Sequence, residues 1–151
     1  MLLQPISRSS IDSIIRAAYG LIIRERRRYF RCPIDVRIVA HRRTEAAWVG
    51  RTVNVSEDGL CIAAPVQLTP GDLVELEFKL PQSSLEIGAE ARVQWCNQTG
   101  RAGLRFLRLE HDARSDLQHW LTEQLNKILK PTLARVDLNR THQETFLAKL
   151  Y

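Results

Sequence analysis

The sequence predicts an all-β core: a small six-stranded antiparallel β-barrel, preceded by an amphipathic helix and followed by a second helix packed on it. Three observations carry this reading. Apolar residues follow a helical period up to about Arg28, alternate from Pro33 onward, and return to the helical period over residues 112–129; these two periods separate helices from half-buried strands. The alternating region breaks into six short stretches, each with one apolar face, which is the pattern of antiparallel strands rather than fully buried parallel ones. At 151 residues the chain is one domain with extensions, on the usual scale of about 100–200 residues per domain. The expected division is a helical extension at 1–23, the barrel with its closing helix at 24–130, and a tail at 131–151.

In the first helix, expected over Ser9 to Arg28, Ile11, Ile14, Ile15, Ala18 and Ile22 form one stripe at helical spacing. Ser9 followed by Asp12 reads as a capping box, and Gly20 weakens the helix by about 1 kcal/mol relative to Ala. Such a helix draws its stability from docking more than from propensity, so the stripe must meet the barrel, a second copy or a partner. The strands follow. Ile34, Val36 and Ile38 alternate with Asp35 and Arg37; Val49, Val53 and Val55 recur around Thr52 and Asn54, with Arg51 interrupting; then come Leu60, Ile62 and Ala64. After the turn signal Pro70-Gly71-Asp72, Val74, Leu76, Phe78 and Leu80 alternate with Glu75, Glu77 and Lys79. Leu85, Ile87, Ala89, Ala91, Val93 and Trp95 form the next apolar face, and a turn at Asn97 to Gly100 leads to Leu104 and Phe106. Closing six such strands into a barrel removes the exposed edges of an open sheet. Asp112 then suits an N-cap, Leu117, Trp120, Leu121, Leu125, Ile128 and Leu129 form a helical stripe, and Pro131 ends it. In the tail, Leu147 and Leu150 suit the end of a short helix.

Composition excludes several classes. The chain is 44% hydrophobic and 26% charged, which is ordinary for a globular protein and unlike collagenous, disordered or disulfide-scaffold chains. Its most apolar stretch, Ala17 to Ile23, falls far short of the roughly 20 residues a bilayer requires. The N-terminus lacks the pattern of a secretory signal, and three cysteines (Cys32, Cys61, Cys96) without a CxxC pair fit a reduced, cytoplasmic setting. His41, His111, His119 and His142 show neither HExxH nor Cys/His zinc spacing and read as surface or packing residues. Ser56 lies in no GxSxG elbow, and no glycine-rich phosphate loop is present. No catalytic or metal-binding set emerges, so the expectation is a binding protein rather than an enzyme.

The charge is informative. The formal net charge is +5, and residues 24–31 hold Arg24, Arg26, Arg27, Arg28 and Arg31 against Glu25 alone. A compact arginine cluster points to a small anionic ligand, a phosphate or a local membrane contact; its plain alternative is a solvated helix end. Two short patterns frame this region. One is Arg27-Arg28-Tyr29-Phe30-Arg31, an RxxxR preceded by Arg26, between the first helix and the first strand. The other is Asn54-Val55-Ser56-Glu57-Asp58-Gly59, an NxSxxG where the second strand turns into the third.

In this order and at these strand positions, the two motifs resemble those of the PilZ domain family. The resemblance covers about residues 24–129, including Gly103 to Phe106 on the last strand and the closing helix. It implies a PilZ-like barrel and a receptor for the bacterial second messenger cyclic di-GMP, with Arg26, Arg27, Arg31, Asn54, Ser56 and Gly59 as ligand-binding residues and no cofactor. The chemistry of the residues agrees. Cyclic di-GMP is a doubly anionic ring bearing two guanines. An arginine fork grips guanine O6 and N7 or a phosphate, and its flat face stacks on a purine. Asn54 offers an amide to a base edge, and Ser56 offers a hydroxyl. Gly59 suits a left-handed turn position or a close approach of backbone to ligand. At about 1–3 kcal/mol per bidentate arginine contact, such a site reaches micromolar binding, about 8 kcal/mol.

Plainer roles stand beside these. Asn54 and Ser56 suit a turn cap. Arg26 fits either a second, intercalated ligand or a free surface position. Tyr29 and Phe30 suit anchoring the joint on the barrel, and Trp48, Trp95 and Trp120 read as packing residues. The expected mechanism makes the arginine segment a hinge, mobile until the dianion draws it onto the Asn54–Gly59 turn and repositions the first helix against a protein partner or a second copy. The alternative of the same fold is an interaction module acting without nucleotide. A nucleic-acid polymer fits poorly, because the strand exteriors carry Glu75, Glu77, Glu86 and Glu90, where a polymer binder needs basic and aromatic residues. Membrane attachment through the helix and its arginine end is the weakest option.

Overall fold

The computed structural model describes residues 7–110 and 112–129. The elements run α1 (Arg8–Tyr29), β1 (Cys32–Pro33), β2 (Arg37–Arg42), β3 (Trp48–Val55), β4 (Gly59–Ala63), β5 (Leu73–Lys79), β6 (Glu86–Cys96) and β7 (Arg101–Leu109), and residues 113–129 form a second helix, α2. The strand order is β1-β3-β2-β5-β6-β7-β4, and β3 also pairs with β4, which closes the barrel. Every pairing is antiparallel. The barrel proper has six strands, as the alternation predicts, with β1 a two-residue addition to β3. No helix among the described residues is long and apolar enough to cross a membrane.

Period-2 alternation builds the core. On β5, Val74, Leu76 and Phe78 are buried while Glu75 and Glu77 face out; Ile38, Ile62, Leu80 and Ile87 fill the same interior. The α2 helix covers this core with Leu117, Trp120 and Leu121, and Trp120 Nε1 donates to the Pro81 carbonyl at 3.2 Å. Full burial of one such side chain contributes about 1.5–3 kcal/mol.

Four details depart from the sequence reading. The first barrel strand begins at Arg37 instead of Pro33, because the Thr52 side chain takes the place of the ladder: its Oγ1 accepts from Val36 N at 2.9 Å and donates to the Ile34 carbonyl at 3.1 Å. On β3 the inward residues are Trp48, Gly50 and Thr52, and Val49 faces out. A register shift between Thr52 and Asn54 against β4 then reverses the alternation, as an extra residue must, and returns Val55 to the core. The N-cap of α1 is Ser7, whose Oγ accepts from Ser10 N at 3.2 Å, so Ser9 lies inside the helix. The helix also docks through a different face. Tyr19, Ile23 and Arg27, four residues apart, face α2: Ile23 is buried, and Tyr19 Oη donates to Asn126 Oδ1 at 3.0 Å. The predicted apolar stripe is left outside: Ile14 is 61% exposed and Ile11, Ile15 and Ile22 are also exposed, with Leu21 exposed beside them.

The boundary expected between residues 23 and 24 falls inside α1. Asp112 precedes α2, and its carbonyl accepts from Asp116 N at 3.0 Å. The tail at 131–151 with Leu147 and Leu150, the stop at Pro131, and His111 and His142 lie outside the described residues.

Because Leu117 is fully buried where α2 meets the barrel, Leu117→Ala is expected to lower stability by about 2–5 kcal/mol, read as a fall in the urea midpoint.

Candidate ligand-binding site

The extra residue in β3 sets up one half of the site. It ends the strand in the turn Asn54–Gly59, which leads into β4. Ser56 locks that turn: its backbone N–H and its Oγ both donate to the Gly59 carbonyl, at 2.8 and 3.2 Å. Ser56 is buried, and its hydroxyl holds the turn. Gly59 is required by packing on β7, since a Cβ there would stand 2.0 Å from the Leu104 carbonyl oxygen. The described glycines with left-handed φ are Gly71 and Gly100, so the turn-conformation reason expected for Gly59 does not apply.

The arginines form the other half. Arg24 to Arg28 lie in the last turns of α1, not in a loose hinge. The helix ends at Tyr29, and Phe30 is extended at φ −72° and ψ 124°, with its N–H donating to the Arg27 carbonyl at 3.3 Å. Phe30 packs against the core and anchors the joint. Tyr29 is exposed, with the Arg28 guanidinium 5.9 Å from its ring centroid, so it anchors nothing on the barrel.

The three candidate arginines part at this joint. Arg31, the second residue after the helix, lines a groove of about 230 Å³ with Ser56, Gly59, Asp58, Trp95 and Arg105. Arg26 and Arg31 together line a wider apolar groove of about 690 Å³ with Ile22, Phe30, Leu125 and Ile128. Arg27 lines neither. Its Nε donates to Glu57 Oε2 at 3.3 Å, and its Nη1 donates to Thr122 Oγ1 at 3.3 Å. Glu57 Oε1 in turn accepts from Gln118 Nε2 at 2.6 Å. Asn54 also lies outside both linings. Its Oδ1 is buried and finds no donor among the described residues, a state that costs about 1–3 kcal/mol.

Arg31, Ser56 and Gly59 therefore meet in one groove. Arg26 joins them through the adjoining one, and Arg27 reaches the same turn through Glu57. At about 230 Å³ the smaller groove is below the roughly 300–1,000 Å³ of sites that engulf a ligand; it suits one part of a larger molecule laid across Arg31. A separate groove of about 440 Å³ carries Glu75, Glu77, Glu90 and Glu110 against Arg43 and Arg108, a balance that repels a dianion.

Two groove residues escaped the sequence reading. Trp95 was expected to pack inside. A register shift between Val93 and Trp95 against β7 turns it outward, where it is 46% exposed and lies on Gly103; a Cβ at Gly103 would stand 2.1 Å from the indole Nε1. An isolated strand glycine opposite an aromatic was the available signal. Arg105 pairs with Gly59 across β4 and β7, a placement visible only once the register is known. Cys61 on β4 is buried, and burial pushes its thiol up, with Arg101 and Arg31 opposing the shift; it reads as inert packing.

A small closed barrel, capped by a helix, with an arginine-bearing joint set against a strand turn, is the architecture of PilZ domains. The chain belongs to the PilZ domain family, whose model matches residues 25–123. No curated protein matches it. Among solved structures it is similar to the inhibitor of motility (MotI/DgrA) of Bacillus subtilis, at 18% identity over 64% of this chain and 50% of that one, with a TM-score of 0.53. It is also similar to the PilZ domain, with c-di-GMP, of YcgR from Escherichia coli, at 15% identity over 68% of this chain and 94% of that one, with a TM-score of 0.50. The chain thus spans about half the length of the Bacillus protein, and at these identities the likeness establishes the fold.

Gly59→Ala forces a methyl group onto the β7 backbone and is expected to destabilise the barrel by about 1–3 kcal/mol, measured by thermal unfolding of the ligand-free protein.

Proposed function

We propose that the protein is a cytoplasmic, non-catalytic receptor for cyclic di-GMP that transmits ligand occupancy through α1. One observation carries this reading: Arg31 lines a single groove with Ser56 and Gly59, so residues far apart in sequence converge on one surface. The family assignment and the ligand named for the YcgR domain support it. In this reading Arg31 and Arg105 grip the phosphates or a guanine edge, and Trp95 supplies a stacking face. Arg26 approaches from the adjoining apolar groove. Asn54, outside both grooves, reaches a guanine edge only by turning its buried amide out of the turn, while Ser56 and Gly59 keep the turn in position. Binding ties Arg31, just beyond the end of α1, to the turn and fixes the angle of the helix at Phe30, an ordering of a joint by charge-assisted contacts.

The exposed stripe on α1 is the output surface, and a second copy is its occupant. Antiparallel pairing about Ala18 sets Ile14 opposite Ile22, Ile15 opposite Leu21 and Asp12 opposite Arg24. It also sets Arg8 opposite Arg28, which limits the contact to a weak one. The alternative, an interaction module acting without nucleotide, rests on Arg27 being already satisfied by Glu57. It requires that cyclic di-GMP give no heat of binding and that Arg31→Ala leave partner binding unchanged.

Isothermal titration with cyclic di-GMP tests the receptor. Arg27→Ala and Arg31→Ala are each expected to weaken binding at least tenfold, about 1.4 kcal/mol or more. The salt slope should be shallow, as suits a dianion rather than a polymer. Saturating ligand should slow hydrogen exchange across residues 20–32; unchanged exchange would reject the helix-angle mechanism while leaving binding intact. By sedimentation velocity, wild type should associate with rising concentration and the double variant Ile14→Glu, Ile22→Glu should stay monomeric.

A further inference from the structure

We infer that Glu57 is an internal anion that occupies Arg27 in the free protein and competes with cyclic di-GMP for it. The inference rests on the receptor reading above and adds a control on its affinity. Its basis is the geometry around Arg27, which departs from what an RxxxR motif alone suggests. Arg27 lines neither of the grooves that Arg31 lines. It is clamped at two points, by Glu57 through Nε and by Thr122 through Nη1. Glu57 is itself held, because its other oxygen accepts from Gln118 at 2.6 Å. The side chains of the pair are only 23% and 17% exposed, where a charge pair is screened less than on the open surface.

A carboxylate and a phosphate are equivalent acceptors for a guanidinium fork. Glu57 therefore makes the contact that a ligand phosphate would make, from inside the NxSxxG turn itself. For Arg27 to reach the ligand, its bonds to Glu57 and Thr122 must break, and the released carboxylate stays between Ser56 and Asp58, beside the incoming dianion. Both consequences lower the affinity below what the arginines alone would give. Glu57 fills an unspecified position of the motif, so this position sets ligand affinity without altering the defining residues. The clamp also ties the exchange to α2, which supplies Gln118 and Thr122; whatever binds so as to tighten α2 against the turn weakens the ligand, and the ligand weakens that binding by the same factor.

Glu57→Gln tests this. It keeps the side chain's size and the oxygen that accepts from Gln118, and removes the charge. Titrated with cyclic di-GMP in the same buffer, Glu57→Gln is expected to bind at least fivefold more tightly than wild type. Thr122→Val removes only the second clamp and should change affinity in the same direction by a smaller factor. Equal or weaker binding by Glu57→Gln, with wild type binding normally, overturns the competition and makes Glu57 a positioning residue for Arg27. Absence of binding in wild type and both variants overturns the receptor reading instead. Cooperative thermal unfolding of each variant verifies that the barrel is intact.

Discussion

Closure of the barrel by the pairing of β3 with β4 is the constraint on which the rest depends. That pairing must accommodate an extra residue between Thr52 and Asn54, and the strand responds by reversing its faces. Val55 turns inward, the chain leaves the barrel wall, and the turn from Asn54 to Gly59 forms beside the point where the first helix delivers its arginines. Gly59 then lets β4 lie directly on β7, which fixes the turn's height above the sheet. A barrel closed without that extra residue would aim the same motif elsewhere. The candidate site is thus a consequence of sheet register as much as of its polar residues.

Electrostatics acts on this frame locally. Five arginines in eight residues would repel one another if left unpaired. The fold separates them instead: Arg27 goes to Glu57 and Thr122, Arg28 lies over Tyr29, and Arg26 and Arg31 turn to the grooves. The helix supports this by carrying Arg26, Arg27 and Arg28 in its last turn, where cations interact favourably with the backbone dipole. In the proposed mechanism the hinge is therefore confined to the joint at Phe30 and Arg31, where helical geometry ends.

Much of the architecture was legible in the sequence because it depends on periodicity. The strict alternation of Val74 to Lys79 and of Ile87 to Val93 named the inward faces correctly, and the stripe from Leu117 to Leu125 named the closing helix. Alternation failed where an extra residue enters a strand: Val49 and Trp95 both emerged on the outside, and a period of two carries no information about such a slip. The helix stripe was legible as apolar but not as undocked. The row that docks, Tyr19, Ile23 and Arg27, is mostly polar, and its partners Asn126 and Thr122 lie about a hundred residues away. Of the site, the motif residues were legible by type, while Arg105 and the clamp around Arg27 required the register of β4 on β7 and the placement of α2.

The outward turn of Trp95 has an optical consequence. Trp48 and Trp120 are buried, so solvent-dependent changes in indole emission originate chiefly at Trp95, and the protein carries its own fluorophore in the candidate groove.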